Sequence, residues 1–185
     1  DYAVWQREIL GSVEDPGSLA ARQVSYWVDR LAGVPEQIEL PADRPRPEVA
    51  SNAGATQGFS VDAELAARLT GLARARGVTV FMVMHAVLAV WAARLSGSRD
   101  IVVGTPIAGR GDQALDDVVG MFVNTLVLRT EVSPEVSFAG LLERVRAVDV
   151  AAFAHADVPF EQLVDVVSPV RSQARHPLFQ VALTF

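Results

Sequence analysis

The sequence predicts an α/β layered fold, with a mixed or parallel β-sheet flanked by helices. Three observations carry that expectation. Segments with apolar residues at three- and four-residue spacing alternate along the chain with short β-branched runs. The connections between those runs are long enough to cross over a sheet. One run, Val118 to Arg129 (VVGMFVNTLVLR), is apolar enough to lie in the middle of a sheet with both faces covered. The 185 residues suffice for one large domain or two small lobes with a sizeable core.

The elements follow in order. Asp1 to Leu10 reads as a short amphipathic opening anchored by Trp5. Asp15-Pro16-Gly17-Ser18 is a turn, and Ser18 can cap the helix that follows. Val24, Trp27, Val28 and Leu31 recur at helical spacing up to Gly33. Residues 35–58 form an extended crossing segment and loop, because four prolines (35, 41, 45 and 47) exclude a helix or central strand from its first half. Gly58 to Val61 is a short strand, and Asp62 caps a helix with Leu65, Leu69 and Leu72 facing inward, closed by Gly77.

Thr79 to Leu95 is apolar almost all round, so it is either a core helix or a membrane span. It falls short of the usual ~20 residues and carries His85, which favours a buried core helix. Asp100 to Pro106 is a strand, and Ile107 to Leu115 a loop rich in glycine and charge. Ser137 caps a helix with Phe138, Leu141, Leu142, Val145, Val148 and Ala152 on one stripe. Pro159 opens another, with Phe160, Leu163, Val164 and Val167 as its buried face, and Pro169 ends it. Leu178 to Phe185 is a final strand.

Composition narrows the function. A net charge of −6 without a long basic run argues against a nucleic-acid surface. Cysteine is absent, which excludes disulfides and thiol chemistry and fits a reducing cytoplasm. No signal peptide pattern opens the chain, and both ends read as cuts in a longer polypeptide. Gly104 to Gly111 (GTPIAGRG) has the glycine spacing of a phosphate loop but Arg110 and Gly111 where Lys and Ser or Thr are required. The histidines at 85, 155 and 176 lie far apart, so no metal-ligand spacing exists. His85 reads as a core residue and His155 as a cap on the carbonyl end of the preceding helix. No G-x-S-x-G elbow is present. Arg129, Arg171 and Arg175 are either solvated charges or anion-capturing guanidinium forks, and their spacing does not choose. Asn124 shares a face with Phe122, Leu126 and Leu128, and a buried amide there needs partners from the protein or a substrate.

Four stretches supply more than their parts. DYAVWQ (1–6), VGMFVNTLVLR (119–129), HADVPFEQLV (155–164) and RSQARHPLFQV (171–181) occur in this order and resemble the later core motifs of condensation domains from nonribosomal peptide synthetases. ELPADRPRP (39–47) and DIVVGTPIAGR (100–110) are similar to that family as well. Ala156, Ser172, Ala174 and His176 depart from the usual motif residues in the manner of subfamily variation, and VNTLVLR favours condensation over epimerisation.

The resemblance implies a chloramphenicol-acetyltransferase-like, two-lobed fold of which this chain is the C-terminal lobe. The family's HHxxxDG motif, linked to amide formation, has no counterpart here, since no two histidines adjoin. The lobe is therefore expected to carry no catalytic residue of its own and to be inactive alone, while supplying one wall of a substrate tunnel. The motif positions implied to line or support that tunnel are Trp5, Gly120, Phe122, Asn124, Arg129, His155, Asp157, Pro159, Phe160, Arg171, Arg175, Pro177 and Phe179. A floor loop would include Gly104, Pro106, Gly109 and Arg110. The implied partners are the N-terminal lobe, donor and acceptor carrier proteins and an adjacent adenylation domain, with no nucleic acid and no membrane. No cofactor is expected on the chain itself; phosphopantetheine would arrive on the carrier proteins. A non-catalytic docking or scaffold module is the competing expectation.

Overall fold

The computed structural model describes residues 2–167 and 169–185, so Asp1 of the first motif lies outside the described residues. Among the described residues six α-helices and three strands follow one another as α1 (Tyr2–Leu10), α2 (Leu19–Leu31), α3 (Ala63–Arg76), α4 (Val80–Ser96), β1 (Asp100–Ile107), β2 (Asn124–Glu131), α5 (Phe138–Phe153), α6 (Phe160–Val167) and β3 (Val181–Ala182), with a single 3-10 turn at Gln113–Leu115 between β1 and β2. The sheet is mixed: β1 pairs with β2 antiparallel and with β3 parallel, giving the order β2-β1-β3.

Local signals place the helix starts. The side chains of Ser18, Asp62, Thr79 and Ser137 accept from the backbone N–H groups of Ala21, Leu65, Met82 and Gly140, each satisfying one orphan donor of a first turn. Gly77 ends α3 at φ +62°, a left-handed conformation that costs a glycine nothing.

The two faces of the sheet are covered by different helices. Ala89 and Ala92 of α4 pack on Ile101 and Val103 of β1, and Leu142 and Val145 of α5 pack on Val83 and Ala86 of α4. Trp27 and Leu31 of α2, Leu163 of α6 and Leu178 join Val102, Val127, Val148 and Ala152 in the other core. This burial is what gathers α2, α5 and α6 around one end of β2.

Several expectations need correction. β2 is an edge strand of this sheet, and β1 occupies the middle. The run at 118–129 is greasy because helices cover both faces of β2, leaving Leu126, Val127 and Leu128 at most 1% exposed. The strand starts at Asn124; upstream, Val119 and Met121 are exposed. Gly58 to Val61 pairs with no strand, and Phe59 projects into solvent. Leu65 on α3 and Phe138 on α5 are exposed, so the inward stripes are narrower than their spacing implied. α4 buries Val83, Ala86, Ala89 and Ala92 but presents Val87, Trp91 and Leu95 outward. Among the described residues no single helix is long and apolar enough to cross a membrane. Trp5 anchors nothing internal: it is half exposed and tilted against Tyr2 at 5.7 Å. Of Leu178 to Phe185 only Val181 and Ala182 form a strand.

The proline-rich segment crosses as expected, held along the 171–180 loop. The Ile38 N–H donates to Gln180 Oε1, the Ala50 N–H to the Gln173 carbonyl and Arg46 Nη1 to the Ala174 carbonyl.

Candidate functional site: the motif turn, the glycine loop and the arginine node

The HADVPF turn between α5 and α6 is gripped by two side-chain amides from different elements. Asn124, at the start of β2, donates through Nδ2 to the carbonyls of Ala156 (2.9 Å) and Val158 (2.8 Å). Its Oδ1 accepts from the backbone N–H of Phe160 (3.0 Å) and of Thr125 (2.9 Å). Both amide protons and both lone pairs are thereby used. The partner that a buried amide requires is the turn itself. Phe160 is the first residue of α6, so Asn124 caps that helix from a distant strand.

Gln23 on α2 is the second grip. Its Nε2 donates to Asp157 Oδ2 (2.5 Å), and its Oε1 accepts from the N–H groups of Asp157 (3.0 Å) and Val158 (3.2 Å). Sequence reasoning passed over Gln23, although it sits on the apolar stripe Ala20, Val24, Trp27 and Leu31 and is only 2% exposed. A polar residue on such a stripe is itself a signal of a buried partner.

His155 caps α5. Its Nδ1 lies 2.7 Å from the Ala151 carbonyl, which only accepts, so Nδ1 carries the proton. The His155 carbonyl accepts from Trp27 Nε1 (2.8 Å), and Tyr26 stacks on the imidazole at 3.9 Å and 9°. Pro159 precedes α6 and accepts from the Leu163 N–H. Phe160 continues into an aromatic group with His176 (5.3 Å) and Phe179 (6.1 Å). Burial pushes the His176 pKa below its ordinary value, against a smaller upward pull from its backbone hydrogen bond with Phe179. Pro177 lines the groove beside His176. The Phe179 ring lies over Gly104 of β1, where a Cβ would come within 2.2 Å of it.

The glycine-containing loop after β1 is tied down at a different place. Gly109 adopts φ +66°, and a Cβ there would lie 1.7 Å from the Phe122 carbonyl oxygen, so both conformation and space demand glycine. Arg110 donates to the carbonyls of Leu115 and Val118, and its guanidinium lies 4.1 Å above the Phe122 ring. Phe122 in turn meets Tyr2 of α1 edge-on at 4.7 Å. Gly120, also close to the Phe122 ring, is exposed. Pro106 pairs with Thr125 at a position where β3 no longer runs alongside β1, so its missing N–H leaves no ladder bond broken.

Arg129 sits near the opposite end of β2. Its guanidinium binds both carboxylate oxygens of Asp100 and donates to the carbonyls of Arg30, Ala32 and Gly33, closing the C-terminal end of α2. The hydrogen bond to Asp100 holds its pKa above the ordinary value. Arg171 pairs with Asp165 (2.6 Å) in the open, and Arg175 with Glu36 (3.1 Å) on the crossing segment.

The structure thus joins Asn124, His155, Asp157, Pro159 and Phe160 in one cluster and adds Phe179, Pro177 and Gly104 beside it. Gly109, Arg110, Gly120 and Phe122 form a second group, which Trp5 joins only through Tyr2. Arg171 lines the groove beside Phe160, His176 and Pro177, while Arg129 and Arg175 stand apart. A further buried polar pair had no signal in spacing: His85 Nδ1 of α4 lies 2.9 Å from Asp149 Oδ1 of α5, both side chains fully enclosed. His85 is a core residue, as its setting in an apolar helix suggested. Among the described residues no group of three His, Asp or Glu is arranged to hold a metal ion.

The condensation-domain family matches residues 1–185, the whole chain. The chain is 51% identical over 185 residues to a dimodular nonribosomal peptide synthase of Bacillus subtilis, spanning all of this chain and 8% of that one. In three dimensions it superimposes on the X-domain from teicoplanin biosynthesis with a TM-score of 0.91 at 31% identity, over 98% of this chain and 40% of that one. A four-domain nonribosomal peptide synthetase bound to AMP and glycine matches with a TM-score of 0.89 at 26% identity, over 94% of this chain and 13% of that one. The chain belongs to the condensation domains of nonribosomal peptide synthetases. It spans less than half the length of each of these relatives.

Proposed function

We propose that the chain is the C-terminal lobe of a condensation domain whose whole forms an amide between two carrier-bound substrates in the cytoplasm. The amine on the acceptor carrier protein attacks the thioester carbonyl on the donor. A C–N bond forms, the C–S bond breaks, and the amine proton ends on the released phosphopantetheine thiol. This lobe supplies one wall of the tunnel through which both arms reach the reaction centre, with the loop from Gly104 to Gly120 as its floor. It is inactive alone.

The observation that carries this reading is how the motif side chains are spent. Asn124, His155, Asp157 and Arg129 bond to the chain's own backbone or side chains. Such residues hold a wall in shape; they do not abstract or deliver a substrate proton. Incubating donor and acceptor carrier proteins, both loaded, with the isolated chain and with the intact domain tests this. Amide product from the intact domain alone is expected.

A docking role is favoured by a separate observation. Val119, Met121, Val123 and Trp5 are 100%, 88%, 54% and 44% exposed beside the floor loop, an apolar surface of the kind that partners cover. In that role the chain seats the N-terminal lobe, a carrier protein or the adenylation domain without chemistry. A titration of the chain with carrier protein showing no binding counts against the carrier as that partner.

A further inference from the structure

The side of the sheet near Arg129 opens into a groove of about 1060 Å³ between α2 and α5. Its charges do not cancel locally. Arg129 is saturated by Asp100 and three carbonyls, and Arg144 leans on the carbonyl and carboxylate of Glu131. Those two contacts neutralise Asp100 and Glu131. Two guanidiniums remain in the groove, Arg30 and Arg99, against one carboxylate, Asp29. Among the described residues the Arg99 guanidinium has no hydrogen-bond or ion-pair partner, its backbone carbonyl alone accepting from the Val132 N–H, and the Arg30 guanidinium donates only to the Arg129 carbonyl. The wall from α5 is apolar, made by Ala147, Val148 and Ala151. Tyr26 lines the same groove, and burial raises its pKa, keeping its hydroxyl protonated as a donor. On a chain of net charge −6, this is a local positive focus with free donors and a greasy wall.

We propose that this groove binds a phosphate ester carried on an apolar stem, with Arg99 and Arg30 as the guanidinium forks and Tyr26 as a further donor. The planar guanidinium matches a phosphate in two-bond geometry, which a carboxylate shares with less charge. The apolar wall of α5 takes the stem. Asp29 opposes the anion and sets an upper limit on affinity. The anion capture that the sequence left open for Arg129 therefore falls to its neighbours, because Arg129 itself has no donor to spare.

Calorimetric titration of the intact domain at fixed ionic strength, with phenyl phosphate as probe, tests the site. Saturable binding is expected, tighter than that of inorganic phosphate, which lacks the stem, and of phenylacetate, which lacks the second charge. R99A and R30A each weaken it by about tenfold or more, the usual effect of losing a charge-assisted hydrogen bond, while D29N tightens it. Far-ultraviolet circular dichroism establishes that each variant is folded; Arg99 and Asp29 are exposed, and their replacement leaves the core untouched. No saturable binding by the wild type, unchanged binding by R99A, weaker binding by D29N, or phenylacetate binding as tightly as phenyl phosphate each overturns the proposal.

Discussion

The side-chain oxygen of Asn124 accepts the first backbone N–H of α6, that of Phe160, at 3.0 Å from the start of a strand 36 residues away in sequence. The same amide donates to two carbonyls of the intervening turn. One residue thus fixes where β2 begins and where α6 begins. Asn124→Ala orphans a helix N–H and two carbonyls at once and is expected to lower stability by at least about 2 kcal/mol in urea unfolding. Asn124→Asp is expected to fare no better, because it sets a carboxylate oxygen against the Ala156 and Val158 carbonyls. A change below about 0.5 kcal/mol would detach Asn124 from the turn.

Gln23 grips the same turn from α2. Gln23→Leu keeps the volume and removes all three bonds, and is expected to cost about 1–3 kcal/mol. The double substitution with Asn124→Ala should fall short of the sum, since both amides hold one segment. Strict additivity would mean that the two grips act independently.

Gly109 offers a test of the loop after β1. Gly109→Ala forces a Cβ into the Phe122 carbonyl at a left-handed backbone position and is expected to destabilise by more than about 1 kcal/mol. It should also release the Arg110–Phe122 contact, raising proteolytic cleavage between Gly109 and Phe122. Wild-type protease resistance in this variant would contradict that coupling.

The enclosed His85–Asp149 pair predicts an asymmetry. Asp149→Ala leaves a buried imidazole nitrogen without its partner and is expected to cost about 1–3 kcal/mol, whereas replacing both residues by apolar ones of similar volume should recover most of the loss. A double replacement as unstable as the single one would place the cost in packing.

His176 sets an acid dependence. Its pKa in the fold lies below its unfolded value of about 6.5, so the fold favours the neutral ring. Its contribution is present above that unfolded value and is lost as pH falls from there through the lower pKa of the folded chain, because the unfolded chain binds the proton more readily. His176→Asn should therefore flatten the stability profile below about pH 6.5. An unchanged slope would assign the acid sensitivity to other groups.

What the sequence made legible was local. Ser18, Asp62 and Ser137 cap helices through atoms three residues away, and Gly77 closes one by its own backbone freedom. Such signals need no tertiary context. Strand order does: the hydrophobicity of Leu126, Val127 and Leu128 reports two covered faces and is silent about whether a neighbour pairs on each edge, so β2 read as central when it is not. Phe59 and Val61 carry strand propensity, but propensity needs a ladder partner, and none lies beside them among the described residues. The family was legible, because the motif stretches carry its residue pattern. The partners of those residues were not, because Gln23 to Asp157 and Arg129 to Asp100 are long-range pairs that no single stretch contains.

We propose that this lobe shapes a tunnel wall and does no chemistry by itself. Mass spectrometry of the acceptor carrier protein, after incubation with a loaded donor, measures this directly. The intact domain is predicted to extend the acceptor-bound amine by one amide, and the 185-residue chain to leave it unchanged. Extension by the isolated chain at a rate near that of the intact domain would contradict the claim.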